Sequence, residues 1–249
     1  MIGLAGPQLA LLCAIVACAY LVEGLAGFGS AVLTLTLGAQ LVPLGELRLV
    51  MLAVGLPFSL VVVLRDRAFL DRPLLLRVIL PAMGLGVLAG ALLAGVLEEP
   101  WLRRRFGALV VAFALRELRL LARSASPGAP PTAPGLFTKA WLLAGGVVHG
   151  IYGTGGPLVV TALGRAGLNR TVLRATLQSI WLVFGSALVG YALYQRQWTA
   201  GTSRGVLLVL PMVPLGGWAG HRLHHAMPER TFRAAVNGVL LFAGAALWL

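Results

Sequence analysis

The stretch "HGIYGTGGPLVV", residues 149–160, sets a lone histidine and four glycines inside an otherwise apolar run. A segment that only crosses a bilayer gains nothing from interrupting its own helix. Gly153, Gly155 and Gly156 allow backbone angles and close approaches that other residues resist. Pro157 then suits the first position of a restarted helix, where its missing N–H costs nothing. A helix that restarts there exposes unpaired N–H groups and the positive end of its dipole. In lipid such groups need a polar or negative occupant, and an anion is the natural one.

The surroundings of this stretch are those of a membrane protein. The chain of 249 residues is 59% hydrophobic and 11% charged, and between Ile2 and Val42 the only charge is Glu23. An apolar run of about 20 residues crosses the hydrocarbon core as a helix. Such runs recur at 46–64, 74–97, 106–121, 140–164, 171–194, 205–220 and 234–249, so the chain reads as an all-α polytopic membrane protein without a soluble domain. No basic segment precedes the first run, which is therefore read as a retained span and not a cleaved signal peptide. Cys13 and Cys18 lie within it and are expected as reduced thiols. The net charge of +12 comes from arginines spread over short loops. That pattern orients a membrane protein and does not point to nucleic acid.

A second glycine cluster matches the first. At an offset of 126 residues "EGLAGFGS" (23–30) lies over "HGIYGTGG" (149–156), and Leu47–Arg48 lies over Leu173–Arg174. At an offset of 130, Leu80–Pro81, Gly86, Gly90, Glu99 and Arg103 lie over Leu210–Pro211, Gly216, Gly220, Glu229 and Arg233. A register that holds across several helices and includes charged residues indicates duplication. The expected repeats are 1–123 and 139–249, joined by a Pro/Gly/Ser linker at 124–138 that contains "SASPGAPPTAPG".

The first run is too long for one crossing: 41 residues of helix span about 60 Å, twice the hydrocarbon thickness. It is expected to turn back at Gly24, Gly27 and Gly29, and the run at 140–164 to turn back over Gly150–Gly156. With 140–164 as a re-entrant hairpin, 14 of the 20 basic residues fall on one side of the membrane; with a single crossing the division is even. The positive-inside rule favours the hairpin. The expected fold is thus two inverted repeats. Each has a broken, re-entrant helical hairpin (2–42 or 140–164) followed by three transmembrane helices: 46–64, 74–97 and 106–121, then 171–194, 205–220 and 234–249.

Candidate anion-binding residues follow from the two breaks: Gly27, Phe28, Gly29 and Ser30 in the first, Tyr152, Gly153, Thr154, Gly155 and Gly156 in the second. Close helix packing is the competing reading of the glycines. Glu23 and His149 occupy equivalent positions just before the breaks and are candidates for proton coupling. Glu23 could instead cap the amides that follow it, and His149 could be neutral and hydrogen-bonded. Arg48 and Arg174 could clamp an oxyanion bidentately, or anchor helix ends at the interface. Gln178 shares a helical face with Arg174, four residues before it, and could line a pathway beside Thr176 and Ser179. His221, His224 and His225 lie at a basic loop without acidic ligands and read as interfacial polar residues, so no metal and no cofactor is expected. Trp101, Trp141 and Trp198 near run ends suit interface anchoring.

Together, "EGLAGFGSAVLTLTLGAQLVPLGELRLVML" (23–52), its echo "HGIYGTGGPLVVTALGRAGLNRTVLRATLQSIW" (149–181) and the helices "LPAMGLGVLAG" (80–90) and "LPMVPLGGWAG" (210–220) resemble the sulfite exporter TauE/SafE family of membrane permeases. The family's first glycine cluster is often denser and near a proline; here "GLAGFGSA" is sparser and lacks it. The resemblance implies a permease of the inner membrane that exports small sulfur-containing anions such as sulfite or short organosulfonates. An anion channel, or a transporter of another small carboxylate or oxyanion, would use the same cradle. An enzyme is not expected. There is no HExxH, the only aspartates (Asp66 and Asp71) share one short loop, and Ser30 has no base but His149 and no third member of a triad. The expected partners are a small anionic substrate and the lipid bilayer, and the sequence is compatible with a homodimer.

Overall fold

The computed structural model describes residues 6–122, 134–163, 168, 170–223 and 229–248. All regular elements among them are helices: α1 (Gly6–Ala26), α2 (Ser30–Gly38), α3 (Leu44–Asp66), α4 (Arg72–Leu74), α5 (Leu80–Ala94), α6 (Glu99–Ala122), α7 (Leu136–Tyr152), α8 (Gly156–Leu163), α9 (Arg170–Tyr194), α10 (Ala200–Val209), α11 (Met212–Leu223) and α12 (Glu229–Ala246). Among the described residues, four stretches are long and apolar enough to cross a membrane: Gly6–Leu25, Leu44–Phe69, Arg72–Ala94 and Thr171–Tyr194. Most of the expected linker, together with His224 and His225, lies outside the described residues.

Both glycine clusters break the helix. α1 stops at Ala26 and α2 starts at Ser30; α7 stops at Tyr152 and α8 starts at Gly156. The breaks are narrower than the glycine pattern alone suggests. Gly150 is helical, and it packs where a Cβ would strike the Val87 carbonyl of α5. Gly24 is likewise inside α1. The chain turns at Gly27 (φ +81°), Gly29 (φ +116°) and Gly153 (φ +71°), left-handed angles that a side chain would strain.

Helix ends recur in the register of the sequence repeat. α1 and α7 end 126 residues apart, and α2 and α8 begin 126 apart. One expected helix, 205–220, is instead α10 and α11, interrupted at Leu210–Pro211. Proline there removes a hydrogen-bond donor and crowds the preceding turn. The matching Leu80–Pro81 is preceded by a widened π-helical turn at Leu75–Ile79, a milder answer to the same constraint.

The described chain forms two compact units, each drawn from both halves of the sequence: Met1–Leu47, Leu97–Gly128 and Leu208–Leu249 in one, Arg48–Val96 and Ala129–Leu207 in the other. In the first, α1 packs on α11 and α2, and α6 packs on α12. In the second, α7 packs on α5 and α8. The principal contact of each unit is the same. Gly86 and Gly90 of α5 lie against the carbonyls of Leu143 and Val147, while Gly216 and Gly220 of α11 lie against those of Ala17 and Leu21. The glycines are 130 apart and the carbonyls they meet 126 apart, so both sequence offsets hold in one contact. Backbones approach this closely because no side chain intervenes, which is how helices gain dispersion energy in lipid. The opposite face of α5 exposes Leu85, Leu88 and Leu92, as suits a helix with lipid on that side.

Gly90→Ala and Gly220→Ala put a methyl group into a backbone carbonyl and should each lower the melting temperature of detergent-purified protein, by the equivalent of about 1–3 kcal/mol. Gly190, in α9, has open space around it. Gly190→Ala should therefore leave the melting temperature unchanged or raise it, by up to about 1 kcal/mol of helix propensity. Equal losses at all three positions would show that the contact is not a packing constraint.

Candidate functional site at the helix breaks

The first break carries its own anion. Glu23, in the last turn of α1, is 6% exposed, and its Oε2 accepts a hydrogen bond of 3.0 Å from the Ser30 amide at the head of α2. The Gly27 amide closes the end of α1 on the Glu23 carbonyl at 2.7 Å, and the Gly29 carbonyl opens α2 by accepting from Leu33. Tyr20, fully buried, lies beside both Glu23 and Ser30. A carboxylate at a helix N-terminus satisfies an otherwise orphaned donor and complements the dipole. Ser30 is buried, and Phe28 is half-buried between the two left-handed glycines.

The second break closes and restarts its helices by the same backbone hydrogen bonds and has different chemistry. The Gly153 amide closes α7 on the His149 carbonyl at 2.7 Å, and the Gly155 carbonyl opens α8 by accepting from Leu158 and Val159. Gly155 lies where a Cβ would strike the Gly145 carbonyl and come within 3.2 Å of the His149 Cβ, so α8 folds back against α7. His149 holds the position that Glu23 holds in the first break. It is 2% exposed, neither ring nitrogen has a hydrogen-bond partner, and the ring stacks on Trp181 of α9 at 5.1 Å. It therefore does not cap α8 as Glu23 caps α2.

Arg48 brings a cation to this break. It stands on α3, and its Cγ is 3.3 Å from where a Cβ on Gly153 would sit. Its Nη1 donates to the Ile151 carbonyl at 2.6 Å, near the C-terminal end of α7. Its Nε is buried and has no partner, and among the described residues no carboxylate pairs with it. Thr154 and Tyr152 are buried in the same turn. Deeper in the unit, the Gln178 Oε1 accepts from the Ser59 hydroxyl at 2.7 Å. Thr176 is buried with an unpartnered Oγ1, and the Ser179 hydroxyl is taken up by the Ala175 carbonyl. Arg174 is half-buried, one turn before Gln178.

Within the second unit, then, the structure gathers Arg48, His149, Tyr152, Gly153, Thr154, Gly155 and Gly156. Glu23, Gly27, Phe28, Gly29 and Ser30 assemble separately in the first unit. Trp181 and Ser59 were not singled out in the sequence: a tryptophan in an apolar helix and a serine in an apolar run carry no signal of their partner. No group of three or more potential metal ligands occurs among the described residues. The His221 side chain, like His224 and His225, is outside them.

A family model described as sulfite exporter TauE/SafE matches residues 12–247, nearly the whole chain and both breaks. The chain belongs to the TauE/SafE family. It is also 29% identical over 170 residues to a curated protein of Comamonas testosteroni named "Probable inner membrane transporter protein TsaS", covering 68% of this chain and 69% of the relative. No solved structure matches it. This TauE/SafE protein is accordingly a multi-pass membrane transporter of the inner membrane.

Gly155→Val should abolish anion-dependent thermal stabilisation of the purified protein, because a side chain there must displace either the Gly145 backbone or His149. Stabilisation by sulfite that persists in Gly155→Val would mean that the second break does not hold the anion.

Proposed function

We propose that this protein is a secondary transporter that exports small sulfur-containing anions, sulfite or short organosulfonates, and that it holds them near the bilayer midplane at the second helix break. The observation that carries this reading is Arg48: a cation with a buried, unpartnered Nε that no carboxylate among the described residues pairs with. A half-buried charge without a counter-ion is partly desolvated, a cost that an anionic ligand would relieve. The start of α8 adds the positive end of a helix dipole, and His149 adds two unpartnered ring nitrogens. A sulfur oxyanion offers several acceptor oxygens to such a set, and the family description names sulfite.

The halves are proposed to be inverted repeats, each a re-entrant hairpin followed by three crossings. The shared helix boundaries support the duplication, and the uneven basic residues support the inversion. Of the two ionisable residues at the breaks, His149 is the proposed proton carrier. Its nitrogens hold no structural hydrogen bond, whereas the Glu23 carboxylate is engaged by Ser30.

Proteoliposome flux tests the reading. Sulfite and sulfoacetate should be carried, lactate and taurine poorly, and a pH gradient should accelerate sulfite flux in the parent protein but not in His149→Gln. Arg48→Gln should lower sulfite flux at least tenfold, with Arg48→Lys intermediate because one ammonium replaces the guanidinium fork. Flux unaffected by Arg48→Gln would remove the site. Single cysteines at positions 139 and 170, in a chain with Cys13 and Cys18 replaced, should both react with an impermeant maleimide from the same face of the membrane. Labelling from opposite faces would mean that the second hairpin crosses once.

A further inference from the structure

The geometry points to a division between the breaks: the Glu23 carboxylate is a covalently tethered occupant of the first, so that only the second accepts a substrate anion and each chain binds one. This deepens the proposed function and rests on its placement of substrate at the second break. The two breaks share their closing and restarting hydrogen bonds, although Gly29 is left-handed and Gly155 is not. Each has a left-handed glycine closing the first helix on the carbonyl four residues earlier, Gly27 on Glu23 and Gly153 on His149, both at 2.7 Å. Each restarts a helix after three residues, on the carbonyl of Gly29 or Gly155. An N-terminus of this shape favours negative charge wherever it occurs.

The difference lies in one pair of equivalent positions, 126 residues apart. At position 23 the side chain carries two oxygens, and one of them already lies 3.0 Å from the first amide of α2. At position 149 the side chain is an imidazole whose nitrogens meet nothing, held by stacking on Trp181 and not by a polar bond. Glu23 and Ser30 are both buried, so a free anion would have to displace a tethered carboxylate whose effective concentration is far above its own. At the second break nothing tethered competes.

Removing the tethered carboxylate should therefore open the first break to a small free carboxylate. In Glu23→Ala the melting temperature should fall, and acetate should restore most of the loss in a concentration-dependent manner while leaving the parent protein unmoved. Propionamide, similar in size and uncharged, should not restore it. Equilibrium binding of radiolabelled sulfite should give one site per chain in the parent protein and none in Arg48→Gln. Loss of stability in Glu23→Ala that acetate does not relieve would overturn the inference, as would two sulfite sites in the parent protein. Should Glu23→Ala not fold, the sulfite stoichiometry of the parent decides alone: one site supports the division and two refute it. One site that survives Arg48→Gln would sink the placement of substrate at the second break, without bearing on acetate rescue at the first.

Discussion

A helix that begins inside a membrane presents amide groups that neither lipid nor its own turn can satisfy. On the proposed re-entrant hairpins, the rest of this protein is arranged around that constraint. Twice the chain ends one helix on a left-handed glycine and starts another a few residues later, and each time the first amides need a partner. At Ser30 the partner is Glu23, from the helix just completed. At Gly156 the equivalent residue is His149, which makes no such bond. One break is closed by the chain itself; the other is left with a cation, Arg48, and no anion.

The breaks can be held in place because the helices carrying them are clamped by backbone contact. α1 rests on Gly216 and Gly220 of α11, and α7 on Gly86 and Gly90 of α5. Burying leucine would gain little here, since lipid tails are as apolar as a protein core; dispersion between close backbones, and Cα–H···O contacts to the carbonyls that face the glycines, are what remain. The pattern of α5 shows the exchange directly, glycines inward and Leu85, Leu88 and Leu92 outward. The second unit goes further than the first, because Gly146 and Gly150 on α7 face the carbonyls of Met83 and Val87 in return. In the first unit the position equivalent to Gly146 is Tyr20, whose Cβ approaches Gly216 while the side chain attends to Ser30 and Glu23.

Much of this was legible in the sequence because duplication writes every feature twice. The breaks, the repeat register and the glycine faces of α5 and α11 all follow from matched spacings. The sequence could not separate two uses of glycine. Gly150 and Gly153 look alike in "HGIYG", but one admits a neighbouring backbone and stays helical, while the other turns left-handed. Nor could it show that Leu210–Pro211 interrupts a helix while Leu80–Pro81 only widens the turn before it, since tertiary packing sets how far a proline displaces its own helix. The contacts of Arg48 with Ile151, of His149 with Trp181 and of Ser59 with Gln178 join residues about 30 to 120 positions apart, where no local pattern speaks. The competing readings of Glu23, cap or proton carrier, both fitted a lone carboxylate before a break, and only the 3.0 Å bond to Ser30 shows which contact it makes.

The divergence at these two positions has a consequence for charge. Two glutamates would have closed both helix starts and given Arg48 a tethered carboxylate as its counter-ion, with no vacancy beside it. Two histidines would have left both starts without internal anions. One of each gives a chain that is electrostatically complete at the first break and short of one negative charge at the second. With the substrate placed at the second break as proposed, that shortfall would favour an oxyanion over a neutral zwitterion, because the ammonium of a zwitterion would have to sit near the guanidinium with no carboxylate to receive it. Selectivity between an organosulfonate and an aminosulfonate can thus arise from repulsion at Arg48, without any group that recognises the rest of the substrate.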